Sequence, residues 1–460
     1  MFTATDFDMP TDYSLTPTSF AVAKRFIRDR TARIGIVGLG YTGLRLAVLF
    51  SKASFAVDGF DVDPSKVEKL QSRCSYLDQI SSDLVSLARD RGFQATTDLT
   101  QLYQTDVVVL CTPARFDDDR FPDLCDVREA AFNIASNLHA GHLVIVGSTT
   151  YPGCTEEVIV PILEGANSEH LKVSRDSAAP DEIFVGVSPD SSDVGDLSMD
   201  QSGTPKIVAG IDRFGAQLTA DLYGTVFRKI ISVSNASTAE VTKLLDSTYR
   251  SVNIALAREL KHICLRMGLD PWEAMSAASS KPFESPYSLQ EQELNCPGIR
   301  FDSLSLAWRA RAFAMRGRLI ELATEINKSA PESDVRRIEE ALNQRGKPLN
   351  GSRLLLLGVA CQDDLDNRRD SPSLVMVNFL RHAGARIDYD DPLLPQIVPG
   401  LQDDRQSASV PVHDVSAYDA VLITADHRSY DLARILSQAQ LVIDMRNVTG
   451  GFASEKIVRC

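Results

Sequence analysis

Apolar residues fall into two blocks of short buried runs, separated by a long stretch with helical spacing. Order begins at Arg33, where IGIVGLG reads as a buried strand entering a glycine turn, and helical spacing follows through Leu44, Ala47, Val48 and Phe50. FAVDGFDVD is a second strand, ending at Asp61 and Asp63, and DVVVLC (106–111) and HLVIVGS (142–148) are two more, each after a helical stretch. Strands alternating with helices predict a parallel, doubly wound sheet. Residues 1–30 are polar and irregular and read as a partly ordered extension.

A long helix is predicted from near Ser237. Ser237-Thr-Ala-Glu240 fits a capping box, in which hydroxyl and carboxylate each satisfy a free backbone N–H. Apolar residues recur at helical spacing past Leu265, until Gly268 and Pro271, a span of about thirty residues or roughly 45 Å at about 1.5 Å per residue. A helix of that length links domains or forms a dimer interface. Near Gly351 the strand pattern restarts: SRLLLLGVA, ARIDYDDP, YDAVLITA and AQLVIDM read as strands, and DSPSLVMVNFLRHAG as a helix stopped by Gly384. The pattern predicts an α/β chain of two Rossmann-like doubly wound parallel sheets joined by a long central helix and a helical middle domain. Its expected divisions are an extension over 1–32, a first sheet domain over 33–235, a central helical domain over 236–330 and a second sheet domain over 331–460.

Composition narrows this picture. A chain of 460 residues exceeds what one core supports, about 250–300 residues. A net charge of -14 opposes nucleic acid and anionic membranes as partners, but a local basic pocket still allows an anionic substrate. No apolar run approaches the roughly 20 residues of a membrane helix, and the first twenty residues lack a basic region followed by an apolar stretch. The eight cysteines are scattered, with no CxxC pair, which points to free thiols in a cytoplasmic protein and to no metal site.

Gly38-Leu39-Gly40-Tyr41-Thr42-Gly43 directly follows a strand and opens a helix, and Asp61 lies eighteen residues after Gly43 at the end of the next strand. Gly38 permits the tight turn, Gly40 lets a pyrophosphate approach the backbone, and Gly43 lets helix and strand pack closely. The helix N-terminus offers N–H groups to phosphates and Asp61 accepts from ribose hydroxyls. A glycine turn alone is a common structural βα turn; strand, helix and acid in register make it a dinucleotide site. The acid favours NAD over NADP because it repels a 2′-phosphate.

The segments IGIVGLGYTGLRLA, FDVDPSKV, PDL (122–124), STTYPG (148–153), TPK (204–206), AEVTKLL (239–245), VNIALARE (252–259), KPF (281–283), RDSP (369–372) and DMRN (444–447), in this order, resemble the UDP-glucose/GDP-mannose dehydrogenase family. VNIALARE and Arg250 are most similar to the branch that oxidises UDP-N-acetylhexosamines. The resemblance covers about residue 33 to residue 450. It implies a primary alcohol oxidised to a carboxylate with two NAD per sugar, an N-terminal NAD domain, a C-terminal UDP domain and a dimer formed through the long helix. It implies that Lys66, Thr112 and Thr149 join the glycine loop in holding NAD, that Lys243 stabilises an oxyanion, that Asp302 and Asp190 handle protons, and that Ser247, Arg250 and Arg369 face the substrate. Lys243, Ser247 and Arg250 share one helix face by their i, i+4, i+7 spacing.

The chain departs from the family pattern where the chemistry is expected. Counting back four from Asp302 reaches Gly298 at the position of the family's thiol nucleophile, and Cys296 lies two residues early, roughly 6–7 Å of extended chain. Because a misplacement of about 1 Å can cost about 100-fold, Cys296 serves as nucleophile only if its loop is rerouted. Ala114 stands at the family threonine, Asp190 at a glutamate, Ser247 at an asparagine and Gln362 at a lysine, and the substrate loop reads Gln290-Glu-Gln-Glu293. Three readings follow. The first is an NAD-dependent oxidoreductase acting on a primary alcohol of a UDP-sugar or related substrate, which without the thiol stops after one hydride transfer and with a rerouted Cys296 completes the four-electron oxidation. The second is an NAD-binding pseudoenzyme or regulatory partner. The third is an enzyme of specialised metabolism acting on a non-sugar substrate.

Overall fold

The structure, a computed structural model, describes residues 18–77, 80–116, 122–176, 179–189, 205–279, 297–359, 372–391, 414–425, 427 and 430–459. Its first part begins with helix α1 (Ser19–Arg28) and then alternates β1 (Arg33–Val37), α2 (Tyr41–Lys52), β2 (Ala56–Phe60), α3 (Pro64–Gln71), α4 (Ser82–Asp90), β3 (Gln94–Thr96) and β4 (Val107–Leu110). A small antiparallel ribbon of β5 (Arg115–Phe116) and β6 (Pro122–Asp123) precedes α5 (Cys125–Ala135), β7 (Leu143–Val146), α6 (Val160–Gly165), β8 (Lys172–Val173), β9 (Glu182–Val187), β10 (Lys206–Gly210), α7 (Arg213–Tyr223) and β11 (Ile230–Ser232).

The sheet runs β3-β2-β1-β4-β7-β9-β10-β11, with β8 beside β9. Every pairing is parallel except β9 with β10, so the predicted parallel sheet carries one antiparallel junction. Ile34, Ile36, Val107 and Val109 lie in the core on one face, while Val37, Val108, Leu110 and Val144 lie in the core on the other. Burial on both faces explains why these strands read as unbroken apolar runs. Register fixes the site: Val37 pairs with both Phe60 and Leu110, so the segments after β1, β2 and β4 leave the same edge together.

The extension contains the ordered helix α1, which the sequence reading did not assign. Thr18 caps α1, and Phe20 packs 4.7 Å from the Phe214 ring and 6.1 Å from that of Phe184. Ile27 is buried in the main core. The charged face of the helix, Lys24, Arg25 and Arg28, hid it in the sequence.

The central helix α8 (Ala236–Arg266) has 31 residues. The capping-box reading at Ser237 is corrected. The cap is Asn235, whose side-chain oxygen accepts from Thr238 N at 2.8 Å, and Glu240 points elsewhere. Helix α9 (Pro271–Ser279) follows, and α10 (Pro297–Ala312) and α11 (Arg318–Asn343) both pack on α8. Residues 330 and 331, where the second sheet domain was expected to begin, fall within α11, which also packs against α12 (Pro372–His382) of that domain. Pro331 inside α11 removes the N–H that would bond the Asn327 carbonyl. Arg258 of α8 donates to that carbonyl at 3.2 Å, and Asn327 donates to the Ser251 carbonyl at 3.0 Å.

The second sheet contains β12 (Arg353–Leu357), β13 (Arg386–Asp390), β14 (Ala420–Ile423), β15 (Val442–Asp444) and β16 (Ile457–Arg459), with α13 (Leu432–Gln438) between β14 and β15. The order is β13-β12-β14-β15-β16, all parallel, with a core on each face. Among the described residues, no helix is long and apolar enough to cross a membrane.

Candidate dinucleotide and catalytic site

At the carboxyl edge of the first sheet, Gly38 adopts φ +93° and its N–H donates to the Phe60 carbonyl at 2.8 Å. A side chain there would lie 3.0 Å from the Cys111 backbone and 3.1 Å from Thr112 N, so the turn lies directly against the end of β4. A Cβ at Gly43 would collide with the Gly38 carbonyl oxygen, which is the close helix–strand packing the fingerprint requires. Gly40 differs: an added Cβ would meet nothing within 4 Å. That open space borders the start of α2, whose N-cap makes no side-chain hydrogen bond. The N-terminus of a helix beside open space suits a pyrophosphate.

Asp61 closes the other side. Its Oδ2 accepts from Leu39 N at 2.9 Å and its Oδ1 from Asp63 N at 3.0 Å, which orients the carboxylate at the end of β2. Each oxygen retains capacity for a ribose hydroxyl. The Tyr76 hydroxyl donates to the Leu39 carbonyl, and the Lys66 ammonium sits 5.6 Å from the Tyr76 ring centroid, placing Lys66 beside the loop. Thr112 follows β4, and Thr149 lies in the segment after β7, both half-buried. Tyr41 and Thr42 form the first turn of α2. The residues present therefore fit a dinucleotide.

A second cluster lies between α8 and α10. Ser247 Oγ donates to Asp302 Oδ2 at 2.5 Å, and Lys243 Nζ stands 3.7 Å from the same oxygen. The Asp302 side chain is 3% exposed and that of Lys243 19%. Burial pushes the Asp302 carboxyl up to about 6, against the opposing pull of the Lys243 charge and the Ser247 bond. Arg250, one turn beyond Ser247, pairs with Asp246 at 2.9 Å. The structure thus joins Lys243, Ser247 and Asp302 in one buried polar cluster. Asp190, Cys296 and Arg369, with Gln362 and the Gln290–Glu293 loop, lie outside the described residues. Gly298 lies in the first turn of α10, one turn ahead of Asp302 and on the same helical face.

Sequence reasoning missed what joins the two clusters. Glu240 is not a cap: its buried carboxylate accepts from Gly153 N at 2.6 Å, Thr155 N at 3.0 Å and Thr155 Oγ1 at 2.6 Å. From the α10 side, the Trp308 ring lies 5.0 Å from Tyr151, and Arg309 lies over Tyr151 and pairs with Glu157. The only sequence signal was a carboxylate on the Lys243 face of the helix, three residues before it.

A first doubly wound sheet with a glycine fingerprint and ribose acid, a long helix carrying a lysine–carboxylate cluster and a second doubly wound sheet define an NAD-binding dehydrogenase architecture. The comparisons make this particular. The NAD binding domain of the UDP-glucose/GDP-mannose dehydrogenase family matches residues 32–229, its central domain 237–329 and its UDP binding domain 355–451. A UDP-N-acetyl-D-glucosamine 6-dehydrogenase of Pseudomonas aeruginosa is 27% identical over 403 residues, covering 86% of this chain and 91% of that protein. A UDP-N-acetyl-D-mannosamine dehydrogenase of Pyrococcus horikoshii is 26% identical over 432 residues, covering 90% and 96%. The solved structure of the UDP-D-ManNAc dehydrogenase from Pyrococcus horikoshii aligns with TM-score 0.77 and 25% identity over 93% of this chain and 97% of that one. The chain belongs to the UDP-glucose/GDP-mannose dehydrogenase family, with the family's NAD-binding domain at its N-terminal end.

Proposed function

We propose that this chain oxidises an alcohol of a UDP-sugar or related substrate with NAD, and that the oxidation stops at the carbonyl. The observation that carries this reading is the buried Lys243–Ser247–Asp302 cluster on a helix bonded through Glu240 to the edge of the dinucleotide domain. Bound NAD supplies the hydride acceptor. Lys243 is the more exposed member and meets the substrate oxygen, where its charge stabilises a developing alkoxide. Lys243 first passes one of its protons to Asp302 behind it, and the amine so formed takes the proton that the hydroxyl gives up, which restores the ammonium beside the alkoxide. Ser247 holds Asp302 Oδ2 in place. A carboxyl raised to about 6 accepts a proton near neutral pH more readily than an ordinary aspartate does.

The second half of a four-electron oxidation needs a nucleophile to trap the aldehyde. Gly298, beside Asp302 on α10, offers none, and this supports a two-electron reaction. Incubation of the full chain with NAD and a panel of UDP-hexoses and UDP-N-acetylhexosamines, followed by absorbance of NADH, tests the reading. NADH formation with at least one substrate is expected. Its absence across the panel, with NAD binding intact, would move the chain to a non-sugar substrate or a pseudoenzyme.

We infer further that the chain forms a homodimer through α8. Leu245, Tyr249, Leu256, Ile263 and Met267 are 53%, 64%, 46%, 48% and 67% exposed, and their spacing puts them in one stripe along the helix. Large exposed apolar patches of this kind mark association surfaces.

A further inference from the structure

We propose that Glu240 is a positioning residue that sets the nicotinamide side of the dinucleotide pocket relative to Lys243. The segment after β7 lines the crevice next to β4: Gly147 N donates to the Leu110 carbonyl at 2.9 Å, and a Cβ at Gly147 would lie 3.5 Å from Cys111 Sγ. Asp61, on the β2 side of the glycine turn, holds the adenosine ribose. The β4 and β7 ends lie on the opposite side, so segment 147–155 would face the nicotinamide end of a bound dinucleotide.

The start of that segment is tied to β4 by Gly147 N and by Ser148 Oγ, which donates to the Leu110 carbonyl at 3.3 Å, and Cys154 N closes a turn on the Tyr151 carbonyl at 3.1 Å. Gly153 adopts φ +96°, and a single π-helical turn over Thr155–Ile159 follows. Glu240 holds the far end: one carboxylate oxygen takes Gly153 N and the other takes both Thr155 N and Oγ1. Both oxygens are therefore used, and an amide in place of the carboxylate would present a donor to one of these N–H groups. Glu240 precedes Lys243 by three residues and Ser247 by seven, so one helix face carries both the clamp and the proton-handling groups. A displacement of segment 147–155 changes the distance between cofactor and cluster. Displacements of about 1 Å matter at this scale, costing about 100-fold. The ring of Tyr151 against Trp308 and Arg309 presses the same segment from α10, so the clamp is gripped from both sides.

The kinetic part of this inference rests on the dehydrogenase reading; the NAD-binding part does not. The test compares the full chain with Glu240→Gln, Glu240→Asp and Thr155→Val. For each, NAD affinity is titrated directly, amide exchange is followed across 150–157, and kcat is measured at saturating NAD. Glu240→Gln should speed exchange at Gly153 and Thr155 by about tenfold or more while β1 and β4 stay protected. NAD affinity should weaken by about tenfold, and kcat should fall by about 10- to 100-fold and stay low at saturating NAD. Glu240→Asp keeps both acceptors on a shorter stem and should recover part of the loss. Thr155→Val loses only the hydroxyl bond; if Glu240→Gln fails to fold, a roughly threefold loss of NAD affinity in Thr155→Val still supports the proposal. Faster exchange with unchanged NAD affinity and unchanged kcat would overturn it, leaving Glu240 a purely structural residue. If the wild type forms no NADH but Glu240→Gln weakens NAD binding, the positioning role stands and the dehydrogenase reading falls.

Discussion

Replacing Asp302 with an asparagine probes the proton-handling cluster with little change of shape. In the native protein burial lifts the Asp302 carboxyl from 3.8 to about 6. At about 1.4 kcal/mol per pH unit, that displacement corresponds to roughly 3 kcal/mol. The sign follows from linkage: because the folded value lies above the unfolded one, the native state holds this proton more tightly. The resulting stability is complete below pH 3.8 and is lost as pH rises through about 6. Above that, the ionised carboxylate is carried at a cost that Lys243 and Ser247 only partly offset. The amide introduced by Asp302→Asn cannot ionise, so the variant should lose this pH dependence and melt at about pH 8 no more than a few degrees from the wild type. Catalysis should behave oppositely. The proton acceptor must be ionised, so wild-type kcat/KM should rise with unit slope up to about pH 6 and then level. Asp302→Asn should remove that limb and lower kcat by about 10²–10⁴-fold. NADH absorbance across the pH range measures both. A variant that retains wild-type turnover, or the same acid limb, would refute the assignment of Asp302 as proton acceptor.

Two glycines of the fingerprint should separate binding from stability. Gly40→Ala adds a methyl to open space and should weaken NAD by about tenfold with an unchanged melting temperature, whereas Gly43→Ala collides with the Gly38 carbonyl and should cost about 1–3 kcal/mol of stability. Arg258→Ala leaves the Asn327 carbonyl without its donor and should destabilise by about 1–3 kcal/mol in chemical denaturation; Pro331→Ala in that background restores an N–H and should recover most of it. Tyr249→Glu with Leu256→Glu places charge in the exposed α8 stripe and should convert a dimer to a monomer in light scattering without loss of NAD binding.

Much of this was legible along the chain, because the central strands are buried on both faces and so appear as runs such as VVVL or LLLL. The fingerprint was legible for the same local reason: Gly38, Gly40 and Gly43 each answer a backbone demand that their spacing encodes. What escaped was tertiary. Helix α1 sets Phe20, Ala23, Phe26 and Ile27 against the main core, and these acquire meaning only beside partners such as Phe184 and Phe214. The cap at Asn235 lay two residues ahead of an equally plausible Ser237, and Glu240, read as its capping partner, bonds residues about 85 positions away instead, with 85 the separation to Thr155. The Ser247 hydroxyl makes the short bond to Asp302, a contact that spans 55 residues and that no local pattern records.

The central claim, an NAD-dependent oxidation that ends at the carbonyl, is tested most directly by counting NADH formed per substrate consumed at completion, with the product identified by mass. The arrangement of Gly298 beside Asp302 predicts one NADH and a product two mass units lighter than the substrate. Two NADH per substrate and a carboxylate product would contradict the account and show that a nucleophile other than residue 298 completes the oxidation.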